Sequence, residues 1–202
     1  MPRKRKLSPK EQASLEWFKE VVAKTTSKKT AEEYDKKRKR ISEGEMFLFS
    51  YKNPVTPLKY LKWFDAKPLV ILFNTSGRKG NWFGVNLHYI PKPLRETFLK
   101  LVIKINKAKL KSGNRFDLSW GDIYEFLHRN GLAEIAVKQY RINRIQNLEY
   151  IPYSQWQYAV NVPSEQFVFD GQYSHEDLIS MTRRGLKKAK TAKNVRFGRK
   201  VK

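Results

Sequence analysis

The sequence predicts an α+β fold, in which a small curled antiparallel sheet or barrel is packed with helices and flanked by basic arms that are helical or disordered. Two apolar runs, 68–73 and 82–90, are rich in aliphatic and aromatic residues and enclose the turn-rich loop 74–81, a pattern typical of two paired strands. After them, apolar residues recur at every third or fourth position between 94 and 105, which indicates one face of a helix. This hairpin and helix form the predicted folding centre.

Residues 1–43 are predicted to form a basic N-terminal arm with one or two helices. Ser8 and Glu11 have the spacing of a capping box at the start of the first helix. A second capping-box pattern precedes the basic run 36–40, whose like charges repel one another on a helix. The first basic run, at 3–6, fits either a nuclear localisation signal or an arm that binds phosphates.

Residues 44–180 are predicted to form a single core domain. Besides the hairpin, strands are expected at 46–51 and 148–152, where apolar and aromatic residues lie between turn residues. A helix is expected to begin at its N-cap Ser119 and to end at the Asn-Gly pair 130–131.

The next segment, 132–145, is also predicted to be helical, with Lys138, Arg141 and Arg144 along one polar side. Two helices around a glycine turn, the second of them basic, are consistent with a helix-turn-helix that binds DNA. They are also consistent with a structural pair of helices that has a soluble outer face. We favour the structural pair, because turn chemistry alone is weak evidence for DNA binding.

The core is predicted to end with a helix that Ser174 and Asp177 cap and that runs to about Met181. Residues 181–202 carry ten Lys or Arg and no acid. They are predicted to be a basic C-terminal tail that becomes ordered only on a partner.

The net charge of +23 is concentrated at the two ends of the chain. Residues 1–40 carry a net +8 and residues 181–202 a net +10, whereas the 140 residues between them carry only +5. Basic ends attract polyanions by Coulomb forces and by the release of counterions. DNA, RNA or an acidic protein surface would fit, and nucleic acid is favoured because no membrane-anchoring device accompanies the charge.

Several classes of protein are excluded or unexpected. The chain has no cysteine, which excludes a disulfide framework and a thiolate metal site. It has no run of about 18 apolar residues, so a membrane span is not expected. The N-terminal residues lack the apolar segment of a secretory signal.

No catalytic or metal-binding pattern occurs in the sequence. His88, His128 and His175 have no metal-ligand neighbour at ligand spacing, and His88 is interpreted as a structural residue. The acidic residues of the middle are scattered, whereas a metal-dependent nuclease needs clustered carboxylates. The loop 74–81 precedes a strand rather than a helix, which excludes a nucleotide-binding loop. We therefore expect no enzymatic activity, no metal or cofactor and no small-molecule substrate.

Four aromatic residues near the hairpin have two interpretations. They are Trp63, Trp82, Phe83 and Tyr89. Such rings stack bases in proteins that bind single strands. Large aromatic residues in strands more often belong to the core, and this is the interpretation that we favour.

The candidate DNA-binding residues are all basic and lie in the two ends, in the hairpin loop and in the predicted second helix of the pair. They are Arg3, Lys4, Arg5, Lys6, Lys36, Lys37, Arg38, Lys39, Arg40, Arg78, Lys79, Lys138, Arg141, Arg144, Arg183, Arg184, Lys187, Lys188, Lys190, Arg196 and Arg199.

Several sequence blocks carry a resemblance to a known family. They are 44–51, 64–70, 83–91 with Leu94-Arg95, Trp17-Phe18, 149–152 with Trp156, and 162–167. These blocks resemble the DNA end protectors, small basic virion proteins that large contractile-tailed phages add at head completion. The resemblance covers roughly residues 14–170, so the basic ends lie outside it. It supplies no catalytic residue.

The resemblance and the charge together predict a non-enzymatic phage virion structural protein. Its basic arms would contact DNA, either the ends or the packaged genome, without sequence specificity during head completion. Other virion proteins would be its further partners, and it would be located in the virion, which is assembled in the host cytoplasm. The alternative is a purely protein-binding component of the head-neck, tail or baseplate, with basic tails wrapped over acidic neighbours. A nuclease is the weakest hypothesis, because the carboxylates do not cluster.

Overall fold

The computed structural model describes residues 6–24, 43–52, 64–77, 81–111, 118–164 and 174–198. Some sequence predictions lie outside these residues. They are the basic run up to residue 5, the second helix of the N-terminal arm, the loop tip 78–80 and Trp63. Within the described part of the chain, no helix has the length and apolar character needed to cross a membrane.

Five antiparallel strands form one sheet in the order β4-β3-β2-β1-β5. The strands are β1 Met46–Tyr51, β2 Leu69–Gly77, β3 Asn81–Asn86, β4 Val137–Arg141 and β5 Ile145–Ile151. The predicted hairpin is β2–β3, in which Val70 pairs with Asn86. The predicted α+β class is confirmed, and the sheet is open rather than closed into a barrel.

The open sheet is strongly curled. β4 ends at Arg141 and β5 begins at Ile145, although these two strands lie at opposite edges. In a flat sheet the two edges would be about 19 Å apart, because neighbouring strands are spaced by about 4.8 Å. Four residues reach about 14 Å at most, so the sheet has to bend until its edges approach each other. Contacts across the bend agree, since the rings of Tyr51 on β1 and Tyr140 on β4 have centroids 5.2 Å apart.

The concave side of the sheet is filled by apolar side chains from all five strands. They are Phe47, Phe49, Tyr51, Val70, Leu72, Trp82, Tyr140, Ile145 and Leu148. Gly84 on β3 allows the strands to pack closely here. A Cβ atom at this position would lie 2.3 Å from Val70 Cγ1 and 2.8 Å from the Ile71 carbonyl oxygen. The inside of the curl is therefore a tightly packed core.

The convex side of the sheet is covered by helices. The described residues contain α1 Pro9–Lys24, α2 Lys92–Lys111, α3 Trp120–Arg129, α4 Ala133–Ala136, α5 Trp156–Asn161 and α6 His175–Gly198. Apolar side chains of these helices, such as Phe98, Ile123 and Leu178, share one buried cluster with Leu48 and Ile71 of the sheet.

Three predicted helix starts are confirmed by their caps. The amides of Ser8, Ser119 and Ser174 donate to the carboxylates three residues later, at 2.9, 2.8 and 3.0 Å. The predicted end of α3 is confirmed as well, because Asn130 is its C-cap and Gly131 has a φ of +63°. These features depend only on neighbouring residues, which explains why the sequence predicts them.

The predicted helix over 132–145 is wrong. Only the four residues of α4 are helical, and β4, a 3₁₀ turn at Ile142–Arg144 and the start of β5 occupy the rest. The physical reason is tertiary. Pairing with β3 gives Val137–Arg141 hydrogen bonds between strands, and it places the Tyr140 ring inside the curl, where it is 4% exposed. A helix-turn-helix is therefore absent here, since the second helix is one turn long.

The C-terminal basic segment is helical through Gly198. The sequence predicts order only on a partner, whereas α6 continues without a break past Met181. This part of the sequence is rich in Lys and Arg and contains two Ala, and all three residue types have high helix propensity. The first turns of α6 are also fixed by packing, because Leu178, Thr182 and Gly185 are buried.

Candidate nucleic-acid interface

The structure describes ten of the 21 candidate DNA-binding residues. Positions 3–5, 36–40, 78–79 and 199 lie outside the described residues. Lys6 is exposed just before α1. Lys138 and Arg141 lie on β4, Arg144 lies in the following 3₁₀ turn, and Arg183, Arg184, Lys187, Lys188, Lys190 and Arg196 lie on α6.

Helix α6 presents a basic face. Arg183, Arg184, Lys187 and Lys188 are all exposed, and the chain contains no acid after Asp177. Residues three and four apart on a helix are neighbours, so these four cations form one continuous strip. The opposite face of the helix is buried against the core. Such a strip of cations is suited to a row of phosphates.

The start of α6 is held firmly in place. The amide and hydroxyl of Ser174 donate to the Asp177 carboxylate at 3.0 and 2.9 Å, and these hydrogen bonds hold the pKa of Asp177 below its usual range. Arg183 Nη2 donates to the Gly131 carbonyl at 2.8 Å. The basic face of α6 is therefore fastened to the C-terminal end of α3.

The three basic residues predicted along one helix side do not share a face. Lys138 and Arg141 are three positions apart on a strand, and side chains at odd separations point to opposite faces of a sheet. Lys138 is half-buried with its Nζ 4.2 Å from the centroid of the Tyr89 ring. Burial lowers the pKa of Lys138 to about 8. Arg141 is exposed at the sheet edge.

A buried polar cluster lies where β3 passes into the 3₁₀ turn Leu87–Tyr89. Asp65 Oδ2 accepts from Asn86 Nδ2 at 2.8 Å and lies 2.7 Å from His88 Nδ1. The Phe18 ring of α1 meets the fully buried His88 ring edge-on. His88 lies in the turn rather than on a strand, and its contacts agree with the structural role predicted for it.

Two further buried groups lie near this cluster. Arg95 donates to the carbonyls of Ile90 and Val162 at 3.0 and 2.7 Å and to Ser164 Oγ at 2.9 Å, so its guanidinium joins α2 to the end of α5. His175 has a buried Nε2 without a hydrogen-bond partner among the described residues. Burial, together with the charge of Arg95, lowers the pKa of His175 to about 4. Both groups serve the interior and are not available to phosphates.

The aromatic residues that the sequence offers for base stacking are mostly core residues. Trp82 and Tyr89 are each 4% exposed, and Phe83 is half-buried against the convex core. The exposed aromatic residues lie elsewhere, with Trp120 and Tyr124 on α3. Sequence reasoning missed them, although Trp120, Tyr124 and His128 recur every four residues, which places them along one side of a helix.

The comparison with known families identifies the class of protein. A family described as phage T4 terminal DNA protecting protein matches the chain over residues 4–181. The chain belongs to this family. Comparisons with curated proteins and with solved structures found no match.

Membership of the terminal DNA protecting family confirms the predicted resemblance and extends it. The matched range begins at residue 4 and ends at residue 181, within α6, whereas the resemblance covers roughly residues 14–170. The family is one of DNA-protecting phage proteins and not an enzyme family. In the part of the chain that the structure describes, no three His, Asp or Glu residues are grouped to hold a metal ion.

Proposed function

We propose that this protein binds the ends of linear phage DNA and shields them, as a virion structural protein added at head completion. Its basic arms make the phosphate contacts, without sequence specificity. The observation that carries this proposal is the strip of four exposed cations on α6, which continues into a chain end without acids. Membership of a terminal DNA protecting family supports the choice of DNA over another polyanion.

The strip on α6 predicts a definite dependence on salt. Each phosphate that a cation neutralises contributes about 0.9 to the slope of log affinity against log salt. Four cations on one helix face therefore contribute a slope of about 3 to 4. Arg183 is also a structural residue, because it donates to the Gly131 carbonyl. The remaining three, Arg184, Lys187 and Lys188, can be replaced without breaking that contact.

The test compares the full-length protein with the variant Arg184→Gln/Lys187→Gln/Lys188→Gln. Binding to blunt-ended linear duplex and to a closed circle is measured over a salt series, together with the survival of linear DNA in a double-strand exonuclease. We expect the variant to lose about 3 from the salt slope and to protect linear DNA less. The matched control is Lys19→Gln/Lys24→Gln/Lys104→Gln, which removes three exposed cations from α1 and α2.

Three outcomes contradict the proposal. Equal losses in the two triple variants would mean that net charge, rather than the α6 strip, governs binding. Equal binding to the closed circle and to the linear duplex would show that the protein does not recognise DNA ends. Failure of the wild-type protein to bind DNA at physiological salt would instead favour the protein-binding component of the head-neck, tail or baseplate.

A further inference from the structure

We propose that Trp120, Tyr124 and His128 on α3 form a stacking surface for the exposed base faces of a DNA end. This inference rests on the proposed function and supplies what a basic strip lacks. Phosphates are spaced alike at an end and in the middle of a duplex, so cations alone do not distinguish the two. Only an end, or an unpaired overhang, exposes the flat face of a base to a protein ring.

The three rings form a ladder along α3, with one ring per helical turn, in which the Trp120 and Tyr124 planes are inclined by 63° and make an edge contact. The Trp120 and Tyr124 centroids are 5.1 Å apart, and the Tyr124 and His128 centroids are 5.2 Å apart. The Tyr124 and His128 rings are inclined by only 27° and are stacked. These distances lie in the range of favourable aromatic contacts, about 4.5 to 7 Å.

The ladder is exposed and braced. Trp120 is 37% exposed, Tyr124 is 43% exposed and His128 is also exposed. The same helix buries Ile123 and Leu127 in the core, which fixes the side of α3 that carries the rings. The Trp120 ring also packs on Phe73 of β2, with centroids 5.5 Å apart. A rigid aromatic surface loses little conformational entropy when a base stacks on it.

The electrostatic surroundings of the ladder favour DNA. The Gly131 amide donates to the His128 carbonyl at 2.9 Å, and the Gly131 carbonyl accepts from Arg183 at 2.8 Å. The basic strip of α6 therefore begins at the end of α3 where the ladder stops. Of the two acids on α3, Glu125 forms an ion pair with Arg129, and Asp122 accepts hydrogen bonds from the amide and hydroxyl of Ser119 at the start of the helix. Bases on the ladder would have cations next to them for their phosphates.

The double variant Tyr124→Ala/His128→Ala tests this surface. Stacking on one aromatic ring is worth about 5- to 150-fold in affinity per base. We expect the variant to lose at least about 10-fold of the preference for linear over closed circular DNA, with its affinity for the circle unchanged. Tyr124→Phe keeps the ring and is expected to keep the preference.

The matched control is Tyr153→Ala. Tyr153 is 46% exposed and its ring contacts Trp156, but it lies beside a separate groove between α1, α2 and α5. Removing it is expected to leave the preference for ends intact. Thermal unfolding followed by circular dichroism verifies that each variant is folded before binding is measured.

The same titrations with blunt, 3′-overhang and 5′-overhang duplexes distinguish the two sources of an exposed base face. A larger loss on blunt ends assigns the ladder to the terminal base pair, and a larger loss on one overhang assigns it to unpaired bases. A preference for ends that survives in Tyr124→Ala/His128→Ala, or falls equally in Tyr153→Ala, overturns the inference while end binding stands. A wild-type protein without any preference for ends overturns the inference and the proposed function together.

Discussion

The sheet and helix α3 contain aromatic residues of the same kinds in opposite environments. Trp82 on β3 is 4% exposed, whereas Trp120 on α3 is 37% exposed. Trp82 faces the concave side of the curled sheet, where strands from both edges close over it. Trp120 lies at the border between the convex core and the surface, packed on Phe73. The comparison teaches that the curl of the sheet, rather than the residue type, decides which rings are available to a ligand.

The largest expected effect is a difference in stability between variants that replace the buried and the exposed tryptophan. Trp82→Ala leaves a cavity inside the curl and is expected to lower the free energy of unfolding by about 4 kcal/mol. Trp120→Ala removes a ring that is partly in water and is expected to cost about 1 kcal/mol. Urea denaturation followed by circular dichroism measures both. Similar losses would mean that the interior of the curl is not tightly packed.

Two glycines, Gly84 in the curled sheet and Gly121 on α3, test the same difference between the packed interior and the exposed helix. Gly84→Ala places a Cβ atom within 2.3 Å of Val70 Cγ1 and 2.8 Å of a backbone oxygen, so it is expected to cost about 3 kcal/mol. Gly121→Ala on the exposed side of α3 meets only Ser119 Oγ at 3.7 Å and is expected to gain about 0.5 kcal/mol from helix propensity. The denaturation midpoints should therefore move in opposite directions, and a shift in the same direction would contradict the packing described for β3.

The pH dependence of stability tests the burial of His175. The pKa of His175 is lowered from 6.5 to about 4 in the folded protein, so between these values the unfolded chain binds more protons. The contribution of His175 to the free energy of unfolding is therefore most favourable above pH 6.5. It falls as the pH drops towards 4, by on the order of 2 kcal/mol.

Denaturation of the wild type at pH 7.0 and 4.5 should reveal this loss. His175→Gln is expected to reduce the difference between the two pH values. His128→Gln, which changes an exposed histidine, serves as the control and should leave the difference unchanged. A difference that persists in His175→Gln would show that another group carries it.

The smallest expected effect concerns the ladder itself. Tyr124→Ala removes a ring that is 43% exposed, so the free energy of unfolding is expected to change by no more than about 0.5 kcal/mol. Thermal unfolding of wild type and variant checks this. A much larger loss would mean that Tyr124 belongs to the core and would weaken its assignment to a binding surface.

Local features of the fold were predictable from the sequence, and distant pairings were not. The hydroxyl oxygens of Ser8, Ser119 and Ser174 accept from amides three residues later, and the β2–β3 hairpin joins neighbours in the chain. The segment 137–141 has no such local signal. It is a strand because β3, more than fifty residues earlier, supplies the partner. Residue types that are compatible with a helix were overridden by pairing with a distant strand and by the burial of Tyr140.

The candidate interface was predictable to a similar extent. Exposed cations at 183, 184, 187 and 188 follow from the composition of the C-terminal segment. The burial of Lys138 over Tyr89, by contrast, depends on how β4 meets the turn after β3. The exposed ladder on α3 was visible as a four-residue period, but the apolar period of the same helix masked it. The ladder is distinguished by the structure, in which Trp82 and Tyr89 are buried while Trp120 and Tyr124 are exposed.

The pairing of β1 with β5 has a consequence for how the chain folds. Met46 pairs with Ile151, so the sheet joins strands that are about one hundred residues apart in sequence. Closing so long a loop is entropically costly, and proteins dominated by distant pairings fold in milliseconds to seconds rather than microseconds. During synthesis, β1, β2 and β3 are made before β4 and β5, so the concave core lacks Tyr140, Ile145 and Leu148 until those strands have left the ribosome. The curled core is completed late, and stopped-flow refolding would detect this as a slow phase in tryptophan fluorescence.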